Sequence, residues 1–176
     1  MSGQGTRALE LLRGAGVAYR VREYRPPART GRERDARPNY GLEAAEALRV
    51  PPGTVFKTLV VAVDDGLAVA VVPVERELDL KALARAVGGR RAELAAPAVA
   101  ERATGYVIGG ISPLGGRRSL STVVDAAAMA CPAILVSAGR RGLQIELAPA
   151  DLIRLTAARV ALICRPNVPP RLVRET

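Results

Sequence analysis

The sequence contains no histidine, and this absence excludes several kinds of active site. Without an imidazole, the chain cannot build a Ser-His-Asp or Cys-His nucleophile or a zinc centre with histidine ligands. The two cysteines, Cys131 and Cys164, are far apart in the sequence, which favours isolated buried thiols over a disulfide framework or a thiolate metal site. Any chemistry must therefore use lysine, carboxylates, tyrosine, hydroxyls, backbone N–H groups or a reactive group of the substrate.

Aromatic residues are nearly as scarce, with no tryptophan, one phenylalanine and four tyrosines. This argues against a single-stranded nucleic-acid platform, which needs several stacking rings, and predicts a core of alanine, valine and leucine. The 176 residues, 49% hydrophobic and 24% charged, fit one globular domain. We see no apolar run long enough for a membrane span and no signal-peptide core at the N-terminus, so we expect a cytoplasmic protein without a membrane partner.

Lysine is the third scarce residue, since only Lys57 and Lys81 accompany 24 arginines. Lys57 lies inside the strand-like run VFKTLVVAV at 55–63, where alternation puts it on one face with four apolar residues. A charge in an apolar row must reach water or a partner in a pocket. Composition bias alone could leave two lysines, but the position of Lys57 favours an amine with a function.

The net charge of +9 and the pI near 10.7 favour a polyanionic partner, because arginines neutralise phosphates and release counterions. Five arginines cluster between residues 25 and 37, and arginine pairs stand beside glycines at 90–91, 117–118 and 140–141. These positions favour phosphate binding. An arginine-rich coding bias that gives a merely solvated surface is the alternative.

Short helices and strands alternate along the chain, which predicts one α+β domain over residues 1–164. We expect a mixed, barrel-like sheet of about six to seven strands with helices packed outside. An Asp-Asp-Gly turn joins two apolar runs into a hairpin that should be central in the sheet. The segment 25–39 is predicted to be a loop and residues 165–176 a disordered tail. The predicted helices are 6–13, 42–48, 79–87, 97–103 and 149–155, and the predicted strands 19–24, 55–63, 67–74, 91–94, 122–124, 134–136, 143–147 and 160–163.

Three segments carry polar or glycine-rich signals: Lys57-Thr58, GYVIGGISPLG at 105–115 and VSAGRRG at 136–142. Adjacent glycines before a hydroxyl and a proline let a backbone approach a ligand and direct N–H groups towards it. For an isolated glycine pair, a tight structural turn is the better interpretation. Each signal is weak by itself.

In this order and spacing, the three segments resemble the YbaK/EbsC family of trans-editing aminoacyl-tRNA deacylases, which is related to the editing insertion of bacterial prolyl-tRNA synthetases. The resemblance spans residues 6–164 and is strongest to the Cys-tRNA(Pro) deacylases. The residues that carry it are VFKTLVVAV at 55–63, LAVAVVPVERELDLKALARAVG at 67–88, RATGYVIGGISPLG at 102–115 and VSAGRRGLQIELAPADL at 136–152.

The resemblance implies a site position by position. The pocket lysine falls on Lys57, and the GxxxP segment that cradles the aminoacyl carbonyl and terminal ribose falls on 109–113. The implied catalytic residues are Lys57, Gly109, Gly110 and Ser112. The implied substrate-binding residues are Tyr24, Tyr40, Thr58, Ile111, Pro113, Ser137 and Gln144.

The resemblance also implies a mechanism that needs no histidine, metal or organic cofactor. The thiol of a misattached cysteine attacks its own ester carbonyl, while glycine-segment N–H groups stabilise the oxyanion and Lys57 anchors the acceptor end. The implied partners are the acceptor end of tRNA(Pro) and prolyl-tRNA synthetase.

Two features depart from the family. The segment between Tyr24 and Tyr40 is longer and arginine-rich, and Gln144 stands where relatives carry aspartate. Two alternatives therefore stay open: a deacylase for alanyl or other small aminoacyl esters that uses water, and a catalytically silent tRNA- or synthetase-binding module.

Overall fold

The computed structural model describes residues 5–27 and 39–166, and within them eight strands form two sheets. One sheet is antiparallel with three strands in the order β1-β7-β6, and the other is mixed with five strands in the order β4-β2-β3-β5-β8. The strands are β1 Tyr19–Glu23, β2 Phe56–Val63, β3 Gly66–Pro73, β4 Ala92–Leu94, β5 Ser121–Asp125, β6 Ile134–Arg140, β7 Leu143–Leu147 and β8 Arg159–Ala161.

The predicted hairpin forms the centre of the larger sheet. Strands β2 and β3 pair antiparallel from Phe56 opposite Pro73 to Val63 opposite Gly66. Asp64 closes the turn at a φ of 49° and accepts the backbone N–H groups of Arg90 and Arg91, each at 3.0 Å. This confirms the hairpin and its central position.

A parallel bridge between Val55 and Leu135 links the two sheets, so the whole is barrel-like, as predicted. The main core lies between the sheets and is closed by two helices, Arg7–Ala15 (α1) and Pro149–Thr156 (α5). It is built from aliphatic side chains, in keeping with the scarcity of aromatic residues. Its largest fully buried members include Leu12, Leu114, Ile134, Leu143, Ile145 and Leu152.

Five helices pack around the sheets in the described residues. They are α1 Arg7–Ala15, α2 Tyr40–Leu48, α3 Leu80–Ala86, α4 Pro97–Thr104 and α5 Pro149–Thr156. Leu83 of α3 packs with Val72 on the larger sheet, and Ala44 and Ala45 of α2 pack on the smaller one. Asp79 caps α3 through the N–H of Ala82, as its sequence predicts.

Three predictions about local structure need correction. Helix α2 begins at Tyr40 rather than at residue 42, because the Asn39 side chain accepts the N–H of Leu42 and caps the helix earlier. Within the described residues all eight segments predicted as strands form strands, including the short edges β4 and β8, so the expected total of six to seven was too low. Short 3-10 helices at Pro52–Thr54 and Ala126–Ala130 were not predicted.

Most of the predicted loop, residues 28–38, and most of the predicted tail, residues 167–176, lie outside the described residues. The N–H of Arg165 donates to the carbonyl of Glu77 at 2.8 Å, so the first tail residue is attached to the domain. Among the described residues, no helix has the length and apolar character that crossing a bilayer requires.

Candidate functional site

Lys57 lies in the first half of β2, half-buried, and makes no hydrogen bond or ion pair with any described residue. Burial lowers the pKa of its ammonium below the usual lysine value, an effect that the nearby Cys164 and Glu77 partly oppose. A partly desolvated ammonium without a protein partner raises the free energy of the folded state. It is therefore available to a ligand.

The strand register places Ser137 and Gln144 on the same face as Lys57. Lys57 is two residues beyond Val55, Ser137 is two residues beyond its bridge partner Leu135, and Gln144 is directly opposite Ser137 on β7. Alternation along the strands puts all three on the outer face. Gln144 is only 7% exposed, yet its side-chain amide makes no hydrogen bond with a described residue.

Thr58 lies on the opposite, inner face of β2, between Phe56 and Val60, which both pack inside. Its Oγ1 is buried and is without a hydrogen-bond partner among the described residues. The structure thus separates the sequence neighbours Lys57 and Thr58 onto two faces. Ile111, which packs with Val60, is on the side of Thr58.

The glycine segment, residues 105–115, connects α4 to β5 and is held by its own hydrogen bonds. Tyr106 donates its hydroxyl to the Leu114 carbonyl at 2.7 Å, and the buried Ser112 hydroxyl accepts the Leu114 N–H at 3.2 Å. The Gly110 N–H donates to the Val107 carbonyl at 2.9 Å. Ser112 therefore shapes the segment from inside rather than presenting its hydroxyl to solvent.

Five backbone N–H groups of this segment have no acceptor among the described residues: those of Val107, Gly109, Ile111, Ser112 and Gly115. Free N–H groups on a rigid turn are the donors that stabilise a developing oxyanion. Two of these donors, the N–H groups of Gly109 and Ile111, flank Gly110, whose own N–H is used by the turn.

Gly109 and Gly110 are required by close packing on both sides. A Cβ at Gly110 would lie 2.6 Å from the Arg140 Cα, and a Cβ at Gly109 would lie 3.1 Å from the Tyr40 ring. Gly109 also has a φ of 91°, a conformation that favours glycine. The glycine pair therefore lies wedged between α2 and the end of β6.

An ion pair behind this wedge was missed by sequence reasoning. Arg141 donates to the Glu43 carboxylate from Nε at 2.9 Å and from Nη2 at 2.5 Å, and its guanidinium lies 5.1 Å from the centre of the Tyr40 ring. Tyr24 donates its hydroxyl to Glu43 at 3.4 Å. Burial first, and the Glu43 charge second, raise the pKa of Tyr24. The two ion-pair partners are 98 residues apart, and no local pattern indicates that they meet.

A cleft of about 390 Å³ opens between the end of β1 and the turn from β6 to β7. Three arginines and one glutamate contribute its charged groups, so its lining is net positive. Arginine forks suit phosphate or carboxylate groups. The lining residues are Glu23, Tyr24, Arg25, Pro26, Arg140, Arg141 and Gly142.

The predicted site residues therefore form two groups joined by β6. Lys57, Ser137 and Gln144 share the outer strand face, whereas Tyr24 and Tyr40 lie with the glycine pair around the Glu43–Arg141 ion pair. Ser137 is three residues before Arg140, against which Gly110 packs. Thr58 and Ile111 lie on the inner side of β2, Ser112 is buried within the glycine segment, and Pro113 is half-buried.

Comparison with known proteins identifies the family to which this chain belongs. Residues 40–155 match the family model of the aminoacyl-tRNA editing domain, a span that contains every predicted site residue except Tyr24. The chain belongs to the aminoacyl-tRNA editing domain family. A curated relative from Enterococcus faecalis, provisionally named Cys-tRNA(Pro)/Cys-tRNA(Cys) deacylase EbsC, is 45% identical over 120 residues, which cover 68% of this chain and 73% of the relative.

Solved structures support the editing-domain fold. A protein described provisionally as a trans-editing enzyme for prolyl-tRNA synthetase matches with a TM-score of 0.79 at 27% identity, covering 94% of this chain and 99% of the other. A hypothetical protein of unstated activity matches with a TM-score of 0.78 at 25% identity, covering 91% of this chain and all of the other. The predicted α+β architecture and the predicted family are confirmed.

Proposed function

We propose that this chain removes a wrongly attached amino acid from tRNA by cleaving the aminoacyl ester, and that its substrate is Cys-tRNA(Pro). The observation that carries the proposal is the half-buried Lys57 ammonium, which has no partner among the described residues and shares a strand face with Ser137 and Gln144. Family membership and the relative named as a Cys-tRNA deacylase support the choice of substrate.

The free N–H groups of Gly109 and Ile111 suit the ester carbonyl, because they are rigidly placed donors beside a glycine whose packing permits no side chain. Lys57 suits the 3′-terminal ribose or its phosphate, since an ammonium is a compact cation for an anionic or hydroxylated ligand. In this assignment Lys57 anchors the acceptor end and does not act as a nucleophile.

The reacting atoms belong to the substrate. The cysteine thiol attacks its own carbonyl carbon, a C–S bond forms, and the bond from the carbonyl carbon to the ribose oxygen breaks. The thiol proton goes to the ribose oxygen, which leaves an intact tRNA 3′ end and a four-membered cysteine thiolactone. The protein supplies orientation and oxyanion stabilisation, which is consistent with a chain that has no histidine.

Gln144 favours a second candidate substrate. Its neutral, buried amide stands opposite Ser137, where the resemblance leads one to expect a carboxylate. An uncharged pocket suits alanyl or another small aminoacyl ester, which would be cleaved by water because the substrate lacks a thiol. A third reading, a catalytically silent tRNA-binding module, predicts binding without turnover.

We further propose that the chain acts in the cytoplasm on tRNA that prolyl-tRNA synthetase has mischarged, docking on that enzyme. The solved relative described as a trans-editing enzyme for this synthetase supports the pairing. Retention of prolyl-tRNA synthetase on the immobilised chain, in the presence of tRNA(Pro), is the expected result. Equal retention of an unrelated synthetase would reject the pairing.

The deciding experiment incubates the purified full chain with tRNA(Pro) charged with cysteine, alanine, serine or proline and follows loss of the labelled amino acid. We expect Cys-tRNA(Pro) to be cleared and Pro-tRNA(Pro) to be spared. Faster loss of Ala-tRNA(Pro) would select the water-using alternative, and binding without loss of any amino acid would select the silent module.

A further inference from the structure

Glu43 and Arg141 form an ion pair that none of the predicted roles includes. Two nitrogens of the guanidinium contact the two oxygens of the carboxylate, at 2.9 and 2.5 Å, and the side chains are only 29% and 14% exposed for Arg141 and Glu43. The hydrogen bonds to Glu43 raise the pKa of Arg141 above its usual value. A bidentate pair of this kind fixes orientation as well as distance.

The first route from the pair to the glycine segment runs through Tyr40. The Arg141 guanidinium lies 5.1 Å from the centre of the Tyr40 ring, within the range of a cation–π contact. The same ring lies against Gly109, where an added Cβ would lie 3.1 Å from two ring atoms. Holding Arg141 therefore holds the ring against which Gly109 packs.

The second route runs through the backbone of the turn that joins β6 and β7. Gly110 packs on this turn so closely that an added Cβ would lie 2.6 Å from the Arg140 Cα and 3.0 Å from the Arg141 backbone nitrogen. Glu43 belongs to α2, a different element, so its bond to Arg141 ties the turn to that helix. Both neighbours of the glycine pair are thus fixed by one ion pair.

We propose that Glu43 and Arg141 are positioning residues for the oxyanion-binding glycine segment, an inference that rests on the proposed function. The N–H groups of Gly109 and Ile111 stabilise a transition state only if they sit at hydrogen-bonding distance from its oxygen. A misplacement of about 1 Å can cost on the order of 100-fold in rate. The pair acts on catalysis through the position of the segment and does not touch the substrate carbonyl.

The chain offers a matched control in the ion pair between Arg22 and Glu146. Its atoms are 2.6 Å apart and its side chains are 34% and 22% exposed, which is close to the burial of the Glu43–Arg141 pair. It ties β1 to β7, and neither of its residues is among the near neighbours of Gly109 and Gly110. Truncating Glu146 should cost comparable stability without reaching the segment.

The test compares Glu43→Ala, Arg141→Ala and their double variant with Glu146→Ala in the full chain. For the first three we expect kcat to fall about 10- to 100-fold, with KM within about threefold of wild type. The double variant should be no slower than the slower single variant, because both remove the same interaction. Glu146→Ala should keep kcat.

Hydrogen exchange of a peptide covering residues 105–115 gives a second readout that does not need turnover. Exchange in this peptide should quicken in Glu43→Ala and stay unchanged in Glu146→Ala. If wild type deacylates no tRNA, the proposed function fails, and exchange alone decides the positioning role. Wild-type kcat or unchanged exchange in Glu43→Ala, at a loss of stability equal to that of Glu146→Ala, would overturn the proposal.

Discussion

The two halves of the candidate site are built in opposite ways. The glycine segment is closed by contacts, since Gly110 has no room for a Cβ, Gly109 packs tightly on the Tyr40 ring and Ser112 bonds within the segment. Lys57 is left open, because it is half-buried in a strand and has no partner among the described residues. In the proposed function, the closely packed segment supplies the backbone donors and the unpaired ammonium binds the ligand.

Substitution of Lys57, the open half of the site, should have the largest effect on the deacylation rate. Lys57→Ala should lower deacylation at least about 100-fold, because an anchoring charge at the reacting end is lost. Lys57→Arg should be nearly as poor, since a planar fork cannot replace a compact ammonium in a confined space. The measurement is single-turnover loss of cysteine from tRNA(Pro). Lys81, which is exposed on α3, supplies the control, since its replacement should leave turnover unchanged. Near-wild-type turnover by Lys57→Ala would remove Lys57 from the site.

The closed half is tested by Gly110→Ala. The new Cβ would lie 2.6 Å from the backbone of Arg140, so the segment must shift and its free N–H groups must move with it. We expect kcat to fall roughly 10- to 100-fold with a folded protein, as judged by circular dichroism and thermal unfolding. The control is Gly14→Ala in α1, where a Cβ meets nothing within 4 Å and should stabilise by about 0.5–1 kcal/mol. Unchanged kcat in Gly110→Ala would show that the segment does not need its close fit.

Substitutions of Gln144 test whether charge at this position sets the specificity for the aminoacyl group. In Gln144→Asp, a buried carboxylate opposite Ser137 should attract the α-amino group of the substrate, and the ratio of rates for Cys-tRNA and Ala-tRNA should change by about 10-fold. Gln144→Asn has nearly the same shape as the aspartate variant without its charge. If the asparagine variant changes the ratio as much, shape and not charge sets the specificity at this position.

The smallest effect concerns stability. Burial lowers the folded-state pKa of Lys57, so the charged form destabilises the folded protein at neutral pH. This destabilisation decreases as pH rises through the lowered pKa towards the unfolded value. Lys57→Met should therefore raise the free energy of unfolding at pH 7 by a small amount. The gain should shrink with rising pH, as measured by denaturant unfolding. A gain that grows with pH would contradict the direction of the pKa shift.

How much of this could be read from the sequence depends on the range of the interaction. Alternation over 55–63 and 67–74 with an Asp-Asp-Gly turn predicted the central hairpin, and Asp79 predicted the start of α3, because these signals are local. The start of α2 was missed, since Tyr40 and Gly41 are weak helix formers and the Asn39 cap alone sets the boundary.

The features of the candidate site also divide into those that the sequence indicates and those that depend on long-range contacts. Motif order singled out Lys57, the glycine segment and Ser137 as candidates. Alternation alone could not tell that β6 would bring Ser137 to the face of Lys57, since that depends on the bridge between Val55 and Leu135. The Glu43–Arg141 pair joins residues 98 apart and is created only by the fold. The hydrogen bond that occupies the Gly110 N–H was equally invisible in the sequence.

The most direct test of the central claim compares Cys-tRNA(Pro) with Ser-tRNA(Pro) under single turnover. The two substrates differ by one atom, sulfur in place of oxygen, so binding should be nearly equal and only the internal nucleophile changes. We predict that the cysteinyl ester is cleaved at least about 100-fold faster, as expected for an oriented intramolecular attack, and that wild type and a Cys131→Ala/Cys164→Ala variant behave alike. Equal rates for the two esters would contradict the thiol mechanism.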